Sequence, residues 1–60
     1  MKLIEGKKYI LVFDLNNNTL SFTAEIIEDD NDFIRFKDKF GEELTYSKKY
    51  LVSLKEIKND

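Results

Sequence analysis

Alternation of apolar and polar side chains near the middle of the chain is the feature that most constrains its fold. Side chains at every second position lie on the same side of an extended strand, whereas the 3.6-residue period of a helix would spread them around its axis. Ile27 breaks the alternation, which predicts a bend or bulge at this point. The segment is therefore predicted to be a β-strand with one buried face. Its inward residues would be Leu20, Phe22, Ala24 and Ile26.

Three further segments have the residue types or the alternation of strands. The first is an apolar run rich in strand-forming residues, and the other two place apolar side chains at every second position. We expect a short strand at each of residues 9–13, 33–37 and 42–46. The inward side chains predicted for the last two are Ile34, Phe36, Leu44 and Tyr46.

Polar segments between these strands favour tight turns. Residues 14–18 include three asparagines, which tolerate left-handed backbone angles. Residues 28–32 form an acidic turn, for which a solvated hairpin connection is the simplest interpretation. Asp38 and Gly41 have the positions typical of a type I turn, in which the glycine adopts the left-handed angles of a bulged hairpin.

Residues 48–57 have two interpretations. The spacing of the apolar residues from Tyr50 to Ile57 fits one face of a helix. As a strand, the same segment would turn Val52 and Leu54 inward together with Tyr50. Two lysines at its start count against the helix, since the helix dipole disfavours cations there. We predict a strand, which would help to close the open edges of a four-stranded sheet.

A short helical turn is predicted at the corner before this strand. Ser47 can cap such a turn with its side-chain oxygen, and Lys48 and Lys49 would complete it. Five strands with one helical turn in 60 residues predict a single small all-β domain covering residues 1–60. The expected architecture is a five-stranded SH3-like barrel with the helical turn before the last strand.

Residues 20–54 resemble the bacterial and archaeal Sm-like proteins, the family that includes Hfq. The segments that carry the resemblance are a bent strand "LSFTAEI", an acidic turn "EDDND", a hydrophobic strand "FIRFKD" and the closing "TYSKKYLVSL". The resemblance implies an Sm-like barrel and, with it, RNA binding. Tudor-like and KOW-like modules, which are also SH3-like barrels, have a similar layout.

The composition argues against catalysis and against metal binding. The chain has no cysteine and no histidine, which removes thiolate ligands and the commonest general base. The acidic residues 28–32 lack the glycine and glutamate spacing of an EF-hand calcium loop. We therefore expect no catalytic residue, no metal, no cofactor and no small-molecule substrate.

Apolar runs in the chain are short compared with the roughly 20 residues that cross a bilayer. The first residues are interrupted by charge too soon for a signal peptide. We therefore expect a cytoplasmic protein that makes no contact with membranes.

Charge is unevenly distributed along the chain, whose net charge is −2. Residues 1–32 carry three lysines and seven acidic residues, whereas residues 33–58 carry six lysines and one arginine against four acidic residues. Two aromatic residues in the basic half fall outside the inward pattern. With the neighbouring cations they define the candidate binding surface: Phe33, Arg35, Lys37, Lys39, Phe40, Lys48 and Lys49.

Two kinds of partner fit this surface. Exposed aromatic side chains supply much of the affinity at protein interfaces, and unpaired strand edges can associate with other chains. Aromatic rings beside cations also bind single-stranded nucleic acids, by stacking on bases and neutralising phosphates. We predict a non-catalytic binding module that contacts a protein partner or a second copy of itself. The alternative is a barrel that binds RNA or single-stranded nucleic acid.

Overall fold

The computed structural model describes residues 3–58 and contains one antiparallel β-sheet. The strands are β1 (Lys8–Leu15), β2 (Asn18–Asp29), β3 (Phe33–Lys37), β4 (Glu43–Ser47) and β5 (Leu51–Glu56), and a 3₁₀ turn, Lys48–Tyr50, precedes β5. Their order across the sheet is β4-β3-β2-β1-β5. The predicted all-β class, five strands and helical turn before the last strand are confirmed.

The sheet is curled but is not closed into the barrel that the sequence predicts. β4 and β5 are its end strands, and within residues 3–58 no backbone ladder joins them. These strands are only five and six residues long, which leaves little backbone for the staggered pairing that closes a barrel. The predicted bend in β2 is confirmed, because the pairing with β3 shifts register between Ile26 and Glu28.

Two tight turns connect the strands as the sequence predicts. Asn16 and Asn17 adopt φ angles of 48° and 67°, which suits a two-residue hairpin between β1 and β2. In the turn between β3 and β4, the Asp38 carboxylate accepts the backbone N–H groups of Phe40 and Glu42 at 2.9 and 3.0 Å. Gly41 has a φ of 84° in this turn, where a Cβ atom would strain the backbone.

Inward side chains of all five strands build the core on one face of the curled sheet. The Phe13 ring lies at its centre, 4.8 Å from the Tyr46 ring and 6.1 Å from the Phe36 ring, measured between centroids. Leu3, which the strand pattern does not include, is also buried. The buried apolar residues are Leu3, Tyr9, Leu11, Phe13, Ala24, Ile26, Ile34 and Phe36.

The last strand exists as predicted, but its inward residues differ. Leu51 and Leu54 pack against the core, whereas the predicted inward residue Val52 is 62% exposed. A bulge causes the difference, because Phe13 pairs with Leu51 and the preceding residue of β1 pairs with Ser53, so that Val52 has no opposite residue. Tyr50, also predicted to point inward, lies in the 3₁₀ turn and is exposed.

Candidate binding surface

The outer face of β3 presents three of the predicted binding residues to solvent. Phe33, Arg35 and Lys37 are exposed and alternate with the buried Ile34 and Phe36. This confirms which face of the strand is outward. The three residues therefore form one row along the outer side of the sheet.

Acidic residues on the neighbouring strands flank the cations of this row. Lys37 lies between Glu25 of β2 and Glu43 of β4 in the backbone register, and Arg35 lies opposite Glu28 of β2. Residues directly opposite on antiparallel strands have Cβ atoms about 5 Å apart, so the opposite charges offset one another. The outer face of β3 is therefore a mixed-charge surface and not a basic patch.

A groove at the end of β3 gathers three lysines. It has a volume of about 370 Å³ and lies beside the turn that contains Gly41. Lys37 and Lys39 of the predicted surface line it together with Lys8 of β1, which the sequence did not place there. Glu25 and Asp38 lie in the same groove and offset part of the positive charge. Lys8 reaches the groove because the sheet register pairs it with Glu25, and this register is not visible in the sequence.

Two further exposed aromatic residues lie before and after β4 in the chain. Phe40, at the tip of the turn before β4, is 78% exposed, and the ammonium of Lys39 lies 5.3 Å from the centre of its ring. Tyr50, in the 3₁₀ turn after β4, has the ammonium of Lys49 5.1 Å from its ring centre. Cation–π contacts at exposed sites contribute about 0.5–1 kcal/mol, so both rings remain available to a partner.

Lys48 of the predicted surface makes a contact that holds the fold together. Its ammonium forms a salt bridge with Asp29, whose side chain is only 5% exposed. The same carboxylate accepts the backbone N–H of Leu3 at 3.0 Å. The sequence assigned Asp29 to a solvated turn, but it ends β2 and connects the first described residues to the 3₁₀ turn.

The free edges of the sheet differ in regularity. β4 pairs with β3 through five consecutive residues without a register shift. β5 contains the bulge at Val52 and exposes Lys55, and both features disfavour pairing with another strand. The regular free edge of the sheet is therefore that of β4, and the exposed Phe40 and Tyr50 lie in the turns before and after this strand.

A cleft of about 380 Å³ lies beside β5. Its walls are mainly apolar and include Leu3, Leu51 and Val52, with Lys48 at one side. No sequence pattern predicted this cleft, because Leu3, one of its lining residues, lies outside the strand pattern.

The comparisons with protein-family models, curated proteins and solved structures gave no match. Within residues 3–58 no three or more acidic side chains lie close enough together to hold a metal ion. None of the helical structure in that part of the chain is long and apolar enough to cross a membrane.

Proposed function

We propose that this protein is a non-catalytic binding module that contacts another polypeptide through the edge of β4. The observation that carries the proposal is the regular, unpaired edge of Glu43–Ser47 between two exposed aromatic side chains. A second strand can hydrogen-bond to such an edge, in which case the main chain supplies affinity and the flanking side chains supply specificity.

The side chains around this edge support a protein partner. Phe40 and Tyr50 offer large rings whose burial is favourable, and aromatic residues are enriched at the centres of protein interfaces. Leu44 and Tyr46 are half-buried at the same edge, so a docked strand would extend the apolar face of the sheet.

The proposal includes a relationship to SH3-like domains. The strand order of the sheet and the 3₁₀ turn before β5 support this relationship. Strands β1 to β4 form a meander through three ladders, and β5 pairs with the other side of β1. The Sm-like resemblance and its implied RNA binding remain predictions from sequence.

Nuclear magnetic resonance of the wild-type chain at increasing concentration tests the proposal, together with sedimentation velocity. We expect the apparent mass to rise with concentration and the backbone amide signals of β4 to shift more than those of β5. Replacing both Phe40 and Tyr50 by alanine should weaken this association. Val52→Ala is the matched control, since Val52 is an exposed apolar residue at the opposite edge.

Nucleic-acid binding is the second candidate, and the lysine groove favours it. Lys8, Lys37 and Lys39 lie around one groove, where a phosphate backbone would gain charge contacts. Filter binding of a single-stranded oligonucleotide at low salt tests it. Binding that weakens steeply with salt and is reduced by Lys39→Gln, in a chain that stays monomeric, would contradict the protein-binding proposal.

A further inference from the structure

We propose that β4 pairs with β4 of a second copy of this chain, antiparallel and symmetric about Thr45, to form a two-fold dimer. The proposal rests on the proposed function, because it names the polypeptide that docks on the β4 edge. It also specifies the register of the β4–β4 pair, for which the following observations are the evidence.

The two faces of β4 restrict the possible registers. Leu44 and Tyr46 pack against the core, whereas Thr45 is exposed on the other face. Opposite residues of an antiparallel pair lie on the same face, so a shift by one residue would place apolar side chains against polar ones. Symmetry about Thr45 satisfies this condition and pairs all five residues of the strand, with Leu44 opposite Tyr46 of the second copy.

Charge selects the antiparallel direction. The segment has two acidic residues at its start, Glu42 and Glu43, and two basic residues at its end, of which Lys49 lies outside the Lys48–Asp29 salt bridge. Antiparallel pairing places the acidic end of one copy beside the basic end of the other, at both ends of the ladder. A parallel pair would place like charges together, which is unfavourable.

The exposed aromatic residues follow the same symmetry. Phe40 and Tyr50 each lie five residues from Thr45, on opposite sides of it. Each end of the shared ladder would therefore bring Phe40 of one copy near Tyr50 of the other. Such contacts would remove from water the most exposed large apolar side chain among the described residues, since Phe40 is 78% exposed.

The other edge is a poorer partner for β4. The bulge at Val52 interrupts the regular backbone of β5, and the exposed Lys55 lies on the same strand. Pairing of β4 with β5 would also be head-to-tail, and it would produce rings or open chains instead of a closed pair. We expect the interface of the two-fold dimer to be smaller than about 1,200 Å², so the dimer should dissociate on dilution.

Cysteine cross-linking tests the register directly, because the chain has no cysteine of its own. In a two-fold pair, the two Thr45 Cα atoms would be about 4.5 or 5.5 Å apart, which is within the span of a disulfide. Thr45→Cys should therefore form a covalent dimer under oxidised glutathione, as seen on non-reducing gels. Ser47→Cys is the matched control, since its two copies would be about 13 Å apart.

A second control, Ser53→Cys, reports on β5. Equal cross-linking of Thr45→Cys, Ser47→Cys and Ser53→Cys would overturn the proposal, and so would a preferred mixed disulfide between Thr45→Cys and Ser53→Cys. If the wild-type chain associates through β4 but Thr45→Cys does not cross-link preferentially, the two-fold register is wrong while the proposed function stands. If the wild-type chain stays monomeric and its β4 signals do not shift, both the dimer and self-association are wrong.

Charge exchange tests the selected direction. Glu42→Lys and Lys49→Glu should each weaken the homodimer, because each places like charges at both ends of the ladder. Mixing the two variants should restore association as a heterodimer measured by sedimentation velocity. Glu5→Lys, an exposed change outside β4, should leave the dissociation constant unchanged. An unchanged dissociation constant in both single variants would overturn the antiparallel direction, because a parallel pair already has like charges together in the wild-type chain.

Discussion

At the scale of single residues, Asp29 shows how one carboxylate can connect distant parts of a small fold. Its side chain is almost fully buried, and it contacts the backbone of Leu3 and the ammonium of Lys48. Buried carboxylates are costly unless their hydrogen-bonding capacity is used. Asp29 therefore stabilises both the first described residues and the corner before β5.

Replacing this carboxylate should lower the free energy of unfolding. We expect Asp29→Ala to cost about 1.5–3 kcal/mol, the range for hydrogen bonds to charged groups, as measured by urea denaturation. Glu28→Ala is the control, because Glu28 is exposed on the outer face and its loss should change stability by less than about 0.5 kcal/mol. Equal costs for the two variants would mean that the Asp29 contacts contribute nothing.

At the scale of elements, β5 shows how a bulge changes the side of a strand that faces the core. Leu51 and Leu54 are three residues apart, a spacing typical of helices, yet both contact the core because Val52 is an extra residue in the pairing with β1. The sheet thus accommodates a helical spacing within a strand.

Alanine substitutions in β5 should distinguish the positions that face the core from the exposed position in the bulge. Leu54→Ala should cost about 2 kcal/mol, the lower end of the range for core leucines, because Leu54 is only partly buried. Val52→Ala should change stability by less than about 0.5 kcal/mol, because Val52 is 62% exposed. Thermal unfolding followed by circular dichroism measures both, and a larger cost at Val52 would contradict the bulged register.

The sequence predicted the fold best where local pattern decides the structure. The alternation in β3 and the asparagine and glycine turns correctly predicted which residues face inward and where the chain reverses. The bulge at Val52 and the burial of Leu3 and Asp29 depend on contacts between distant segments, which no local period encodes. For the candidate surface, the pattern predicted the outward row of β3, but the acidic residues opposite it follow from strand register.

At the scale of the whole molecule, the fold depends on one small core with no cysteine to reinforce it. A domain of this size has a net stability of about 3–5 kcal/mol when it has no disulfide or metal. A single core substitution can therefore unfold the whole domain, whereas a substitution on the outer face of the sheet should not.

Two phenylalanines of β3 test this difference. Phe36→Ala should cost about 3–5 kcal/mol, which approaches the total stability, so we expect the variant to be largely unfolded at 25 °C by circular dichroism. Phe33→Ala, a change to the 51% exposed ring at the start of the strand, should leave the chain folded. A folded Phe36→Ala variant would mean that the core has more stability than its size indicates.

The strand order also has a consequence for the sequence of folding events. Three of the four ladders join strands that are consecutive in the chain, and only the ladder between β1 and β5 joins segments near opposite termini. Pairing of strands that are close in the chain has a low entropic cost of loop closure and occurs early, whereas pairing of distant strands occurs late. We infer that the meander of β1 to β4 assembles first and that docking of β5 completes folding. Unfolding would then begin with the release of β5 from its pairing with β1.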